Sequence, residues 1–158
     1  MILGIDPGSI RMGYALLSNT GEVKTGTLRL GKGLDLAHKT GAIFSFVKDL
    51  IEKKGVKQMA MEKFFYHKDP RALAIISHCR GAAMAAATLA DVPVFEYSPM
   101  EIKKAVVGYG HATKEQMAWV LKQTLNIPDD PPPDETDALA VALCHLARCR
   151  ARTYTEES

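Results

Sequence analysis

Four carboxylates stand where they could do chemistry. Asp6 closes a short apolar run, Ile2 to Ile5, and precedes a Pro7-Gly8 break. Glu62 closes a second run that ends Met59-Ala60-Met61. Asp134 and Asp137 follow a Pro131-Pro132-Pro133 run and are three residues apart, so on a helix they share one face. Each has an ordinary explanation when taken singly. Asp6 suits a turn, Glu62 a solvated strand end, Asp134 an N-cap, and Asp137 the positive end of a helix dipole. Together they say more, because strand ends of an α/β sheet gather at one edge, where sites form. Two carboxylates ~4 Å apart repel by about 4 kcal/mol at an effective dielectric of about 20. Four that converge therefore need counter-charge. Oxygen ligands without His or Cys suit Mg²⁺ or Mn²⁺. Two such ions can activate a water and stabilise the leaving oxygen of a phosphodiester, so phosphodiester hydrolysis is the chemistry this set would serve.

Positioning these acids requires a sheet and covering helices. Runs at 2–6 and 12–18, split by Asp6-Pro7-Gly8-Ser9, predict a hairpin, and 23–30 a third strand. Apolar residues at Leu36, Ile43, Phe44, Val47, Leu50 and Ile51 predict a helix over 34–54, closed by Gly55. A strand at 56–61 leads into Glu62, and Asp69-Pro70 opens a helix over 69–90. Another strand follows at 92–97, then a short helix near Pro99. A capping box at Thr113 and Gln116 starts the next helix, and Asn126-Ile127-Pro128 ends it. A long helix follows from Asp134 to about Arg150. The order βββαβαβααα implies a mixed five-stranded sheet flanked by helices, α/β in class. Residues 1–152 read as a single domain and 153–158 as a short polar tail.

Composition narrows the class. The chain has 158 residues, 47% apolar and 24% charged, an ordinary globular balance. No uninterrupted apolar run approaches the ~18 residues of a membrane span. The N-terminus has no basic region ahead of its apolar stretch and reads as a first strand, not a secretory signal. Cys79, Cys144 and Cys149 are odd in number and include no C-x-x-C pair, which fits free thiols in a reducing compartment. Net charge is +2: residues 1–122 carry 17 basic and 11 acidic groups, residues 123–158 carry 3 and 7. A basic body with a local acidic cluster suits a polyanion binder.

Six stretches in this order resemble the RuvC family of bacterial Holliday junction resolvases. They are Leu3-Gly-Ile-Asp-Pro-Gly-Ser9, Met61-Glu-Lys-Phe-Phe65, Arg80-Gly81, Pro93-Val-Phe-Glu-Tyr97, Lys103-Lys-Ala-Val-Val-Gly108 and Asp134-Glu-Thr-Asp-Ala-Leu-Ala140. The resemblance runs from Leu3 to about His145. It implies an RNase H-like fold, with Asp6, Glu62, Asp134 and Asp137 as catalytic metal-binding acids for Mg²⁺, two ions per site. It also implies a cytoplasmic homodimer of recombination and DNA repair. Such a dimer nicks two strands of like polarity at a four-way DNA junction, leaves 5′-phosphate ends, and works with the RuvA and RuvB branch-migration complex. Lys63 departs from the pattern, where a neutral polar residue is expected. Glu135 adds a fifth acid, which helical phase turns about 100° from Asp134.

Around the acids, Phe65 matches the family's DNA-stacking aromatic, with Phe64 and Tyr66 as neighbours that could pack inward. Base–aromatic stacking is worth about 1–3 kcal/mol per base. Lys103 and Lys114 match basic positions near the scissile phosphate, and Lys114 lies in a helix's first turn, where backbone N–H groups also favour an anion. Lys68, Arg71, Arg80 and Lys104 are further candidates for phosphate contacts. The small-sided run from Gly81 to Ala87 could serve the domain's own packing, the dimer interface, or both. Trp119 is expected in the core. Three other readings stay open: a related RNase H-like nuclease acting on RNA, similar to the YqgF family; an actin-like or sugar-kinase-like ATP-binding fragment; and a junction-binding module without activity.

Overall fold

A computed structural model describes residues 1–63, 68–125, 127 and 131–156. Five strands form one sheet: β1 (Ile2–Asp6), β2 (Arg11–Leu17), β3 (Val23–Arg29), β4 (Gln58–Glu62) and β5 (Val94–Tyr97). Five helices accompany them: α1 (Leu36–Lys54), α2 (Pro70–Leu89), α3 (Pro99–Val107), α4 (Lys114–Leu125) and α5 (Pro133–Glu156). The spatial order is β3-β2-β1-β4-β5. β1, β2 and β3 form an antiparallel meander, while β4 and β5 run parallel to β1. The mixed sheet expected from the order of elements is therefore present.

The central strand β1 is apolar on both faces because both are covered. Leu3 and Ile5 face α1 and α2, joining Met59, Met61, Ile43, Val47, Cys79 and Ala83 in one core. Ala15 and Ala60 face the opposite layer, where Tyr97, Ile102, Leu121 and Leu139 come from β5, α3, α4 and α5. By length and composition α2 is apolar enough to cross a membrane. Its residues Cys79, Ala83, Ala86 and Ala87 instead pack into the α1 and α2 side of the core, and its small side chains suit close approach to α1.

The helix boundaries have local causes. The Asp35 side chain accepts from the His38 N–H at the start of α1, and Gly55 closes the helix at φ 61°. Thr113 and Gln116 form the reciprocal capping box of α4, at 2.9 and 3.2 Å. Two expectations are corrected. Trp119 is 64% exposed, because α4 buries Met117 and Leu121, and a position two residues from Met117 lies about 200° around the helix. The last helix begins at Pro133 and continues to Glu156, through part of the segment expected as a polar tail.

Candidate active site

Parallel pairing sets the strand acids side by side. The register Gly4 with Ala60 and Ile5 with Met61 brings Asp6 and Glu62 to the same edge of the sheet, on the face that α5 covers. Across the antiparallel pair, Asp6 lies opposite Gly13 of β2. A Cβ at Gly13 would meet the Asp134 carbonyl oxygen at 2.0 Å. One at Gly4 would meet the Ala138 carbonyl oxygen at 2.0 Å. These two glycines let the first turns of α5 rest directly on the sheet, which carries Asp134 and Asp137 to the strand acids.

The resulting field is visible in the acids themselves. The Asp6 carboxyl is pushed from its ordinary 3.8 up to about 7, by burial first and then by Asp137, Asp134 and Glu62. Glu62 is raised as well, by burial and then Asp137, against the pull of Lys114, Lys103 and Arg80. Two cations partly offset the cluster. Lys114 Nζ donates to Asp137 Oδ2 at 2.9 Å, and that bond raises the lysine's own pKa. Arg11 Nε pairs with Asp134 Oδ2 at 2.8 Å. A cleft of about 250 Å³ opens between Glu62, Lys103, Lys114 and Asp137. The four acids and both lysines singled out in the sequence thus lie around one site.

Arg80 is not offered to a phosphate: it pairs with Glu96 and donates to the Glu62 carbonyl at 2.6 Å, tying β4 to β5 beneath the acid. Glu135 turns away from the cluster and accepts from Thr27 Oγ1 at 2.8 Å, pinning α5 to β3. His145 is buried between Tyr97 Oη at 2.6 Å and Gln58 Oε1 at 3.1 Å. Phe64, Phe65 and Tyr66 lie outside the described residues. Sequence reasoning missed Arg11, Gly4 and Gly13. An arginine five residues after Asp6, at the far side of a hairpin, was the one available signal for the first.

The donor set consists only of oxygens, and its charges repel one another. A hard divalent cation fits such a set. Among the described residues no three acids are already drawn into a closed coordination group. Lys114 and Arg11 hold the α5 acids instead, as side-chain cations do when carboxylates repel.

A mixed sheet in this order, with acids at the ends of two adjacent parallel strands and two more on the covering helix, defines an RNase H-like nuclease domain. The family model for crossover junction endodeoxyribonuclease RuvC matches residues 2–145, and the Methylobacillus flagellatus member is 39% identical, covering 91% of this chain and 85% of its own. Thermus thermophilus RuvC superposes with a TM-score of 0.83 at 29% identity over 96% of both chains. The same organism's RuvC in complex with Holliday junction substrate gives 0.84 at 25% identity, over 95% of this chain and 94% of that one. The chain belongs to the RuvC family of crossover junction endodeoxyribonucleases, which are metal-dependent nucleases.

Proposed function

We propose that this protein resolves four-way DNA junctions by nicking two strands of like polarity, leaving 5′-phosphate ends, in recombination and repair. The observation that carries the reading is the convergence of Asp6, Glu62, Asp134 and Asp137 at one edge of the sheet in a RuvC-family chain, with the Asp6 carboxyl pushed up to about 7 by burial and by the other three acids. An acid set this repulsive suits a site completed by cations.

Asp6, Glu62, Asp134 and Asp137 would hold Mg²⁺, with Mn²⁺ as a substitute and two ions as the working number. When bound, these ions supply Lewis acidity toward the phosphodiester and an activated water. The chain's own groups do the rest. Asp6 and Glu62 fix one side of the site from the rigid sheet. Asp134 and Asp137 close it from α5. Lys114 and Lys103, on the α4 and α3 side of the cleft, face the developing negative charge on the phosphate oxygens. Phe65 is assigned to base stacking at the junction. A homodimer supplies the two sites that paired nicks require. The RuvA and RuvB complex is the assigned partner, in the cytoplasm.

The test is strand cleavage with Mg²⁺ on a mobile four-way DNA junction, a matched duplex and a structured RNA, with Asp6→Asn as control. Paired symmetric nicks in the junction alone, lost in the variant, are expected. Cleavage of the RNA with the junction left intact would overturn this reading in favour of an RNA nuclease.

A further inference from the structure

On the other side of the acids, away from Lys103 and Lys114, lies a second groove of about 570 Å³. It runs between the β1–β2 turn and the end of β3, and its charged lining is Arg11, Arg29, Lys32 and Asp134. Asp134 belongs to both this groove and the acid cluster, so the two are continuous. Arg11 stands at the join, paired to Asp134 yet with a side chain 60% exposed.

The positive charge in and below this groove is only partly compensated. Arg11 and Arg29 are directly opposed partners on antiparallel strands, and like charges so placed repel. Asp134 offsets Arg11, but Arg29 and Lys32 have no ion-pair partner among the described residues. Below the turn, Lys39 is only 5% exposed. Its ammonium donates to the Ser9 carbonyl at 2.7 Å and meets no carboxylate among the described residues. A buried cation without a counter-anion is expensive to hold. The scaffold is nonetheless fixed: the Leu30 N–H bonds the Ile10 carbonyl at 2.8 Å across the mouth of the groove. Unpaired cations on a braced frame, open to solvent and joined to a phosphodiester-cleaving site, are complementary to a chain of phosphates.

We propose that this groove seats the DNA backbone where the bound strand leaves the acids on the β2–β3 side, with Arg29 and Lys32 as phosphate contacts and Lys39 adding buried positive potential from below. The proposal rests on the junction-resolving reading above. It places cationic contacts on both sides of the acids, Lys103 and Lys114 on one and the hairpin groove on the other, so that the strand is held across the site.

The experiment measures junction affinity across a salt series, with Ca²⁺ replacing Mg²⁺ to hold off cleavage. It compares the full chain with the double variant Arg29→Gln/Lys32→Gln. A second double variant, Lys54→Gln/Lys57→Gln, removes the same charge at the opposite end of the sheet. Two lost phosphate contacts should flatten the log–log salt slope by about 1.8 and weaken binding roughly tenfold to a hundredfold at 0.1 M salt. The distal variant should keep the parent slope. Equal effects in both variants, or an unchanged slope in the groove variant while the parent still binds and cuts junctions, would overturn the groove. A parent protein that neither binds nor cuts junctions would instead overturn the function on which it rests.

Discussion

Neutralising Asp6 should make the metal-free protein more stable, although it destroys the site. The carboxyl sits at about 7 in the fold against 3.8 when unperturbed. The folded state therefore binds this proton more tightly than the unfolded chain does. Its contribution to stability is full below 3.8, is lost as pH rises toward 7, and is flat above that. The ionised form at pH 8 then costs the fold about 4 kcal/mol, which solvent screening at a partly open site reduces to roughly 2–4 kcal/mol. Asp6→Asn keeps the shape and removes the charge. In a domain of this size that recovers roughly 5–15 °C in Tm at pH 8. At pH 4 the gain should largely vanish. Mg²⁺ should raise the Tm of the parent at pH 8 and move the variant much less. Thermal melts at the two pH values, with and without Mg²⁺, read all of this. A variant no more stable than the parent at pH 8, or equal stabilisation of both proteins by Mg²⁺, would refute the repulsive cluster.

Gly13→Ala drives a methyl into the Asp134 carbonyl; the expected cost is about 1–3 kcal/mol in urea unfolding, with cleavage lost. Gly41→Ala, at an exposed helical position with nothing within 4 Å, should stabilise by roughly 0.5–1 kcal/mol and leave cleavage intact. Lys114 lowers both Asp6 and Glu62, so in Lys114→Gln the acidic limb of residual cleavage should move to higher pH; an unmoved limb would separate the lysine from the acids. Tyr97→Phe leaves buried His145 Nδ1 without its 2.6 Å partner and should cost about 1–3 kcal/mol. Trp119→Ala should shift stability by no more than about 0.5 kcal/mol, because the ring is exposed.

The elements are legible in the sequence because their punctuation is local. Gly55, Asp69-Pro70 and the Thr113/Gln116 box each act within one turn, and each stands where the structure puts a helix end. The acids are legible for a different reason: strand ends collect at one edge whatever the details. What single-sequence reasoning cannot supply is a contact between distant segments. Nothing about Gly13 in isolation says that a helix 120 residues later lies on it. Arg80 looks like any surface arginine until Glu62 and Glu96 are seen around it. Trp119 misleads because residue type argues for the core while helical phase, set by Met117 and Leu121, argues for solvent.

The placement of the cations explains why Asp6 bears most of the strain. Arg11 and Lys114 each pair with one acid of α5, the element brought in from the side. Among the described residues the two strand acids have no such paired cation. Glu62 lies closer to the lysines, and Lys114, Lys103 and Arg80 all draw its pKa down. Asp6, at the centre of the sheet and flanked by acids on both sides, is drawn down by Lys114 against burial and three acids that push it up. A rigid central strand is the one place where a carboxylate cannot swing away from its neighbours. The fold therefore fixes its most repulsive group where it is least able to relax, and leaves the α5 acids with partners they can release. A divalent cation would be held by Asp6 and Glu62 from the sheet and by Asp134 and Asp137 from α5, and it would supply the counter-charge that Arg11 and Lys114 give only to the α5 acids.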